Sequence, residues 1–154
     1  MARLIATDPA RGRLPVEAGG MTLTLADPGR IGWVRDGVPE AGRVEARDGV
    51  RRLWCGGGQA LVLGAADEGV DVSDGWTVLR LDGAAWRNAL TRLTPLDLRG
   101  FGEGRTARTV IGHMTAQLTP VGDAAVEVMV MRSMTRTAVD EIAHAMRLVA
   151  ERAG

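Results

Sequence analysis

Near the C-terminal end, the spacing of apolar residues changes from the alternation of strands to the period of a helix. This change constrains the fold of the chain more than any other feature of its sequence. Residues 108–121 (RTVIGHMTAQLTPV) alternate apolar and polar side chains, and residues 124–132 (AAVEVMVMR) follow after Gly122 and Asp123. Alternation is typical of a half-buried strand and a Gly-Asp pair of a turn, so the two segments predict an antiparallel hairpin. After residue 134 the apolar residues recur with a helical period. That period predicts a final helix from about Thr135 to Arg152, with buried positions at Ala138, Ile142, Ala145 and Val149.

The alternation also assigns faces to the strand predicted over residues 108–121. One face carries Val110, Met114, Ala116 and Leu118, and the other carries Ile111, His113, Thr115 and Gln117. We therefore expect His113 to project from a strand, beside Ile111 and Thr115. A histidine in that position is more often a hydrogen-bonded structural or interface residue than a catalytic one.

One more strand and one more helix precede this hairpin. Residues 75–81 (GWTVLRL) predict a strand. A helix is expected from about Ala84, with Asp82 as its N-cap and Pro95 beyond its end. Its apolar stripe, spaced i, i+3, i+4 and i+7, consists of Trp86, Ala89, Leu90 and Leu93. From residue 75 onward the predicted order is therefore β-α-β-β-α.

The first half of the chain is less regular. Residues 1–19 show no period and predict an extended N-terminal arm, whereas residues 21–26 (MTLTLA) alternate as a half-buried strand. Residues 51–64 (RRLWCGGGQALVLG) predict a hairpin around a glycine turn. We expect an α+β fold of ferredoxin-like character, a two-layer sandwich of mainly antiparallel sheet with helices on one face. Residues 20–154 would form a single domain, with a first lobe over 20–74 and a βαββα lobe over 75–154.

Composition excludes several classes of function. The formal net charge of the 154 residues is zero, which argues against nucleic-acid binding and against an anionic membrane surface. All 19 basic residues are arginine, so chemistry that depends on a lysine is ruled out. One cysteine and two histidines are too few for a typical structural zinc site. No segment reads as a signal peptide or a membrane span, so we expect a cytoplasmic protein.

A search for catalytic groups finds no convincing set. The chain has only two serines, Ser73 and Ser133, and only two histidines, His113 and His144, with no nucleophile elbow. Four arginines instead lie near the predicted strand ends of the second half: Arg99, Arg105, Arg108 and Arg132. Any one of them reads as a solvated surface residue. Together they favour a contact surface, because arginine binds carboxylates through a rigid fork and is enriched at protein interfaces.

The same residues carry a resemblance to a known family. The stretches TPLDLRGFGEGRTARTVIGHMTAQL and VEVMVMRSMTRTAVDEI resemble the gamma subunit of heterotetrameric sarcosine oxidase. The matching positions are Pro95, Asp97, Leu98, Arg99, Phe101, Ala107, Arg108, Thr109, His113, Met114, Arg132, Ser133 and Met134. Thr94, Met131 and Thr135 replace the usual Cys, Phe and Ala of the family pattern. The clear match spans about residues 75 to 150.

The resemblance implies a non-catalytic subunit of a flavoenzyme complex that oxidatively demethylates sarcosine to glycine. The one-carbon unit would pass to tetrahydrofolate or leave as formaldehyde. No cofactor is expected on this chain, because FAD, FMN, NAD, tetrahydrofolate and zinc would belong to the alpha, beta and delta subunits. The fold would be similar to the folate-binding domain of aminomethyltransferases. The residues expected to contact other subunits or to shape the motif are Asp97, Arg99, Arg108, Thr109, His113, Arg132 and Ser133.

Two other functions remain open on the sequence. A gamma-type chain also occurs in the related N-methylglutamate dehydrogenase complex. A free-standing folate-binding domain related to aminomethyltransferase is the other alternative, in which Arg108 or Arg132 would bind the glutamate carboxylates of folate.

Overall fold

The computed structural model describes residues 9–64 and 67–153 of the chain. These residues form two antiparallel sheets and two helices. The first sheet has six strands in the order β1-β2-β8-β11-β10-β9. Its strands are β1 (Val16–Ala18), β2 (Met21–Ala26), β8 (Trp76–Asp82), β9 (Ala107–Ile111), β10 (Met114–Pro120) and β11 (Ala125–Met131).

The second sheet has five strands in the order β4-β5-β6-β3-β7. Its strands are β3 (Arg30–Val34), β4 (Val44–Arg47), β5 (Val50–Gly56), β6 (Gln59–Gly64) and β7 (Val70–Asp71). The predicted hairpin over residues 51–64 is confirmed as β5 and β6, and Gly57 and Gly58 make the turn between them. The helices are α1 (Trp86–Leu90) and α2 (Thr135–Ala153).

The first sheet is buried on both faces. Both helices pack on one face, where Leu79, Leu118 and Val128 meet Trp86 and Ile142 in one core. On the other face Val78 and Met129 pack against Leu53, Leu61 and Leu63 of the second sheet. The predicted α+β class, with an antiparallel sheet and helices on one face, is confirmed, and the second sheet adds a further layer. Burial on both faces explains why β11 reads AVEVMVM, a nearly continuous apolar run, rather than a strict alternation.

The strand predicted over residues 108–121 is two strands, so that prediction was wrong. Gly112, in the left-handed region at φ 61°, and His113 form a tight turn between β9 and β10. The turn interrupts the alternation of faces along residues 108–121. Ile111 and Met114, predicted on opposite faces, are instead paired across the hairpin and buried in the same core. His113 therefore lies on an exposed turn and not on a strand face. A glycine between two apolar residues was the signal for this turn.

The two helices differ in how well the sequence predicted them. Helix α2 begins at Thr135 as expected, and Ala138, Ile142 and Ala145 are buried. Helix α1 is only five residues long, although Trp86, Ala89 and Leu90 are buried as predicted. Asp82 is not its N-cap, because the helix begins at Trp86 and Ala85 occupies the cap position. The Asp82 carboxylate instead accepts hydrogen bonds from Arg80 Nε at 3.0 Å within β8.

An N-terminal arm was predicted over residues 1–19, of which residues 1–8 lie outside the described residues. Its described part packs against the fold. Ala10 is fully buried in the core beneath the helices, and residues 16–18 form β1, which pairs with β2. Strands β1 and β2 belong to the first half of the sequence yet extend the sheet built by the second half.

Candidate functional site

The segment between α1 and β9, residues 91–106, has no regular helix or strand but has a fixed course. Leu98 and Phe101 are buried, at 4% and 6% exposure, in the core beneath the helices. Arg87 of α1 donates a hydrogen bond from Nε to the Leu98 carbonyl at 3.2 Å and one from Nη2 to the Phe101 carbonyl at 2.7 Å. Its guanidinium also lies 4.3 Å from the centroid of the Trp86 ring. One buried arginine stem therefore holds both ends of the turn at residues 98–101.

The far end of this segment is joined to the second sheet. Arg105 and Arg43 face each other across an isolated antiparallel bridge. The Thr106 amide donates to the Gly42 carbonyl and the Val44 amide to the Gly104 carbonyl, each at 3.0 Å. Residues 104–106 thus connect the start of β4 with the start of β9.

A buried polar network lies behind this connection, between β10 and β5. Gln117, 1% exposed, donates from Nε2 to the Trp54 carbonyl at 2.8 Å and to Thr106 Oγ1 at 2.7 Å. Thr106 Oγ1 also lies 2.8 Å from Thr119 Oγ1. Because an unpaired buried polar group is costly, these bonds fix how the two sheets meet.

Arg108 extends from β9 toward the end of β5. Its Nη1 donates to the Cys55 carbonyl at 3.4 Å, a long hydrogen bond. Burial raises the pKa of the Cys55 thiol, and the nearby Arg108 guanidinium opposes part of that rise. Arg108 is itself exposed, so one side of its guanidinium lies against the second sheet and the other faces outward.

These elements enclose a groove of about 440 Å³, which we call the arginine groove. Three arginines line it, and the lining also includes an aspartate and two aromatic residues: Arg99, Arg105, Arg108, Asp97, Trp54 and Phe101. Arg99 binds Asp97 through two contacts of 3.0 Å, Nε to Oδ1 and Nη2 to Oδ2. The hydrogen bonds from Arg99 hold the pKa of the Asp97 carboxyl below its usual value.

The structure separates the residues that the sequence grouped as one contact surface. Asp97, Arg99 and Arg108 share the arginine groove. Thr109, adjacent to Arg108 in sequence, points to the other face of β9, where its hydroxyl lies 3.1 Å from that of Thr94. His113 lies on the turn after β9, so the expectation that it projects from a strand face beside Ile111 and Thr115 was wrong.

Arg132 and Ser133 lie in a different place. They belong to the short 3-10 turn between β11 and α2, and line a separate groove of about 580 Å³. Arg11, Arg136 and Asp74 line the same groove. The four arginines of the predicted cluster are therefore divided, three in the arginine groove and Arg132 here.

Sequence reasoning missed three residues that fix the elements around the arginine groove, although none of them lines it. Arg43 comes from the first half of the chain and meets Arg105 only through the bridge between the sheets. Arg87, which the sequence analysis did not single out, holds the loop at residues 98–101. Gln117 was assigned to an outer strand face, whereas that face is covered by the second sheet. Its polar character within an apolar strand was the only signal.

The described residues bring together no obvious catalytic or metal-binding group. Over 9–64 and 67–153, no three side chains of the His, Cys, Asp and Glu types converge as metal ligands would. Within the same residues, no helix combines the length and the apolar character needed to cross a membrane. What the groove offers is arginine forks around an amphipathic cleft, a chemistry suited to binding carboxylates.

Comparison with known proteins identifies the fold. No protein-family model and no curated protein sequence matches the chain. Among solved structures, the chain is similar to a chain of the heterotetrameric sarcosine oxidase from Corynebacterium sp. U-96, solved in complex with pyrrole 2-carboxylate. The match has a TM-score of 0.81 at 20% sequence identity, and covers 94% of this chain and 96% of that chain. The protein therefore has the fold of a sarcosine oxidase subunit over nearly its whole length.

Proposed function

We propose that the protein is the gamma-type subunit of a heterotetrameric sarcosine oxidase complex, and that it serves assembly and stability rather than catalysis. The observation that carries this proposal is the fold match over 94% of the chain to one subunit of such an oxidase. The motif residues Asp97, Arg99 and Arg108 add to it, because they line one outward-facing groove.

The division of labour follows from the groups present. The described residues supply arginines, threonines and one buried thiol, with no base and nucleophile placed together, so the chain contributes contacts. The flavins FAD and FMN, together with NAD, tetrahydrofolate and zinc, are assigned to the alpha, beta and delta subunits. The complex would act in the cytoplasm, demethylating sarcosine to glycine.

The test is reconstitution with the alpha, beta and delta subunits of a heterotetrameric sarcosine oxidase. The chain purified alone should show no flavin absorbance and no turnover of sarcosine. Coexpressed with the alpha, beta and delta subunits, it should elute with them from a sizing column as one assembly. Assaying that assembly with sarcosine and with N-methylglutamate identifies the substrate.

Two results would contradict the proposal. A chain that elutes apart from the other three subunits, while those subunits assemble with one another, is not their partner. Flavin absorbance or sarcosine turnover in the chain purified alone would show that it is not merely structural.

A further inference from the structure

The arginine groove carries a local excess of positive charge on a chain whose formal net charge is zero. Three arginines and one aspartate line it, which leaves a net formal charge of +2. Asp97 is already engaged by Arg99 through two hydrogen bonds. Glu103, the other acid of the same loop, does not line the groove. Clustered charge of one sign favours a ligand or partner of the opposite sign.

The other two arginines of the groove, Arg105 and Arg108, lack acidic partners among the described residues. Over residues 9–64 and 67–153, no carboxylate oxygen lies within 4.0 Å of the guanidinium of Arg43, Arg105 or Arg108. Arg43, which does not line the groove, is paired with Arg105 across the antiparallel bridge and places a further positive charge beside it. Like charges in that arrangement are destabilising. An anionic group bound to Arg105 in the groove would offset this repulsion.

The groove is formed before anything binds. Phe101 and Leu98 are buried in the core, Arg87 holds the loop through two carbonyls, and the amide of Thr106 is bonded to the Gly42 carbonyl. Little ordering of the backbone remains to be done on binding, which favours affinity. The half-buried Trp54 gives the groove an apolar lining beside the arginines. Arginine with aromatic residues is the composition enriched at the energetic centres of protein interfaces.

We infer that the arginine groove is the docking site for a carboxylate-bearing segment of a partner subunit. The inference rests on the proposed function and deepens it by naming the surface and the chemistry of the partner. Arg105 and Arg108 contact Asp or Glu side chains of that segment, and its apolar residues lie against Trp54. Arg132 and Ser133 take no part, because they line the separate groove at residues 131–136.

The test compares two charge-reversal variants within the coexpressed complex. Arg105→Glu/Arg108→Glu reverses two charges in the groove. The matched control, Arg92→Glu/Arg147→Glu, reverses two exposed arginines outside the groove. Far-UV circular dichroism of each full chain checks that it is folded. Dissociation of the complex on dilution is then measured by mass photometry at low and high salt.

The groove variant should dissociate at a concentration about 10-fold or more higher than the wild type, whereas the control should match the wild type. Salt should weaken the wild-type complex and the control, because it screens the charge pairs. A groove variant that assembles as tightly as the control overturns the docking site and leaves the proposed function standing. A wild-type chain that does not assemble with the partner subunits overturns both.

A second measurement identifies the occupant of the groove. Ala41 is exposed and lines the groove, so a photo-crosslinking p-benzoylphenylalanine introduced there in the assembled complex labels whatever lies in it. We expect a crosslink to a partner peptide that contains Asp or Glu. A crosslink to a peptide without acidic residues, or no crosslink in an intact complex, overturns the inference.

Discussion

At the scale of single residues, one ion pair ties the two sheets together. Arg51 of β5 contacts Glu127 of β11, with Nη2 and Oε1 2.7 Å apart. The two side chains are unequally buried, since that of Glu127 is 11% exposed and that of Arg51 is 26% exposed. Arg80, directly opposite Glu127 on β8, is bound to Asp82. Removing Arg51 and removing Glu127 should therefore lower the stability of the protein by different amounts.

Arg51→Met should destabilise the chain by about 3 kcal/mol, because it leaves the more buried carboxylate of Glu127 without its partner. Glu127→Gln should cost only about 1 kcal/mol, because the amide oxygen still accepts a hydrogen bond and the Arg51 guanidinium can reach water. Urea denaturation of the two full-length variants measures the difference. Equal losses in the two variants would mean that the pair contributes through packing and not through charge.

At the scale of elements, the loop between α1 and β9 depends on a residue outside it. Arg87 bonds the carbonyls of Leu98 and Phe101 and stacks on Trp86. Arg87→Ala removes both hydrogen bonds, so the turn at residues 98–101 should open more often. Trypsin should then cleave after Arg99 and Arg105 several-fold faster than in the wild type.

The control for the loop is Arg92→Ala, which removes an exposed arginine from the turn after α1. Its cleavage at Arg99 and Arg105 should match that of the wild type. Unchanged cleavage in Arg87→Ala would show that burial of Leu98 and Phe101 alone fixes the loop.

At the scale of the whole molecule, the two halves of the sequence share one sheet. Strand β2, from the first half, pairs with β8, from the second half, between the residue pairs Thr22–Asp82 and Ala26–Val78. Each half therefore provides a strand that the other half hydrogen-bonds in the sheet. Val78 and Met129 also complete the core of the second sheet. We therefore expect residues 75–154 expressed alone not to fold, although the sequence marks them as a separate βαββα lobe.

Coexpression of residues 1–74 and 75–154 as two chains should restore the native sheet. Amide hydrogen exchange checks this, because β8 and β11 should be protected only when both pieces are present. A protected, cooperatively unfolding 75–154 fragment would show that the two lobes are independent domains.

The sequence by itself determined the elements whose signal is local. The spacing of Ala138, Ile142 and Ala145 was enough for α2, and the glycine triplet between two apolar runs was enough for the β5–β6 hairpin. The order of strands and helices was also enough for the α+β class, because an amphipathic helix must cover a sheet face. These features depend on residues within about a dozen positions of one another, and so their periodicity is visible in the chain.

Only the tertiary structure decided what depends on distant residues. Gln117 and Arg108 share one face of the hairpin, and whether that face meets water or a second sheet depends on residues 30–64. Arg43 and Arg105 are 62 positions apart in the sequence and are paired by a bridge between the two halves of the chain. The residues next to either arginine in the sequence do not predict this pairing. Local periodicity records that a face is buried or polar but not what covers it, because the covering element is chosen by packing across the whole fold.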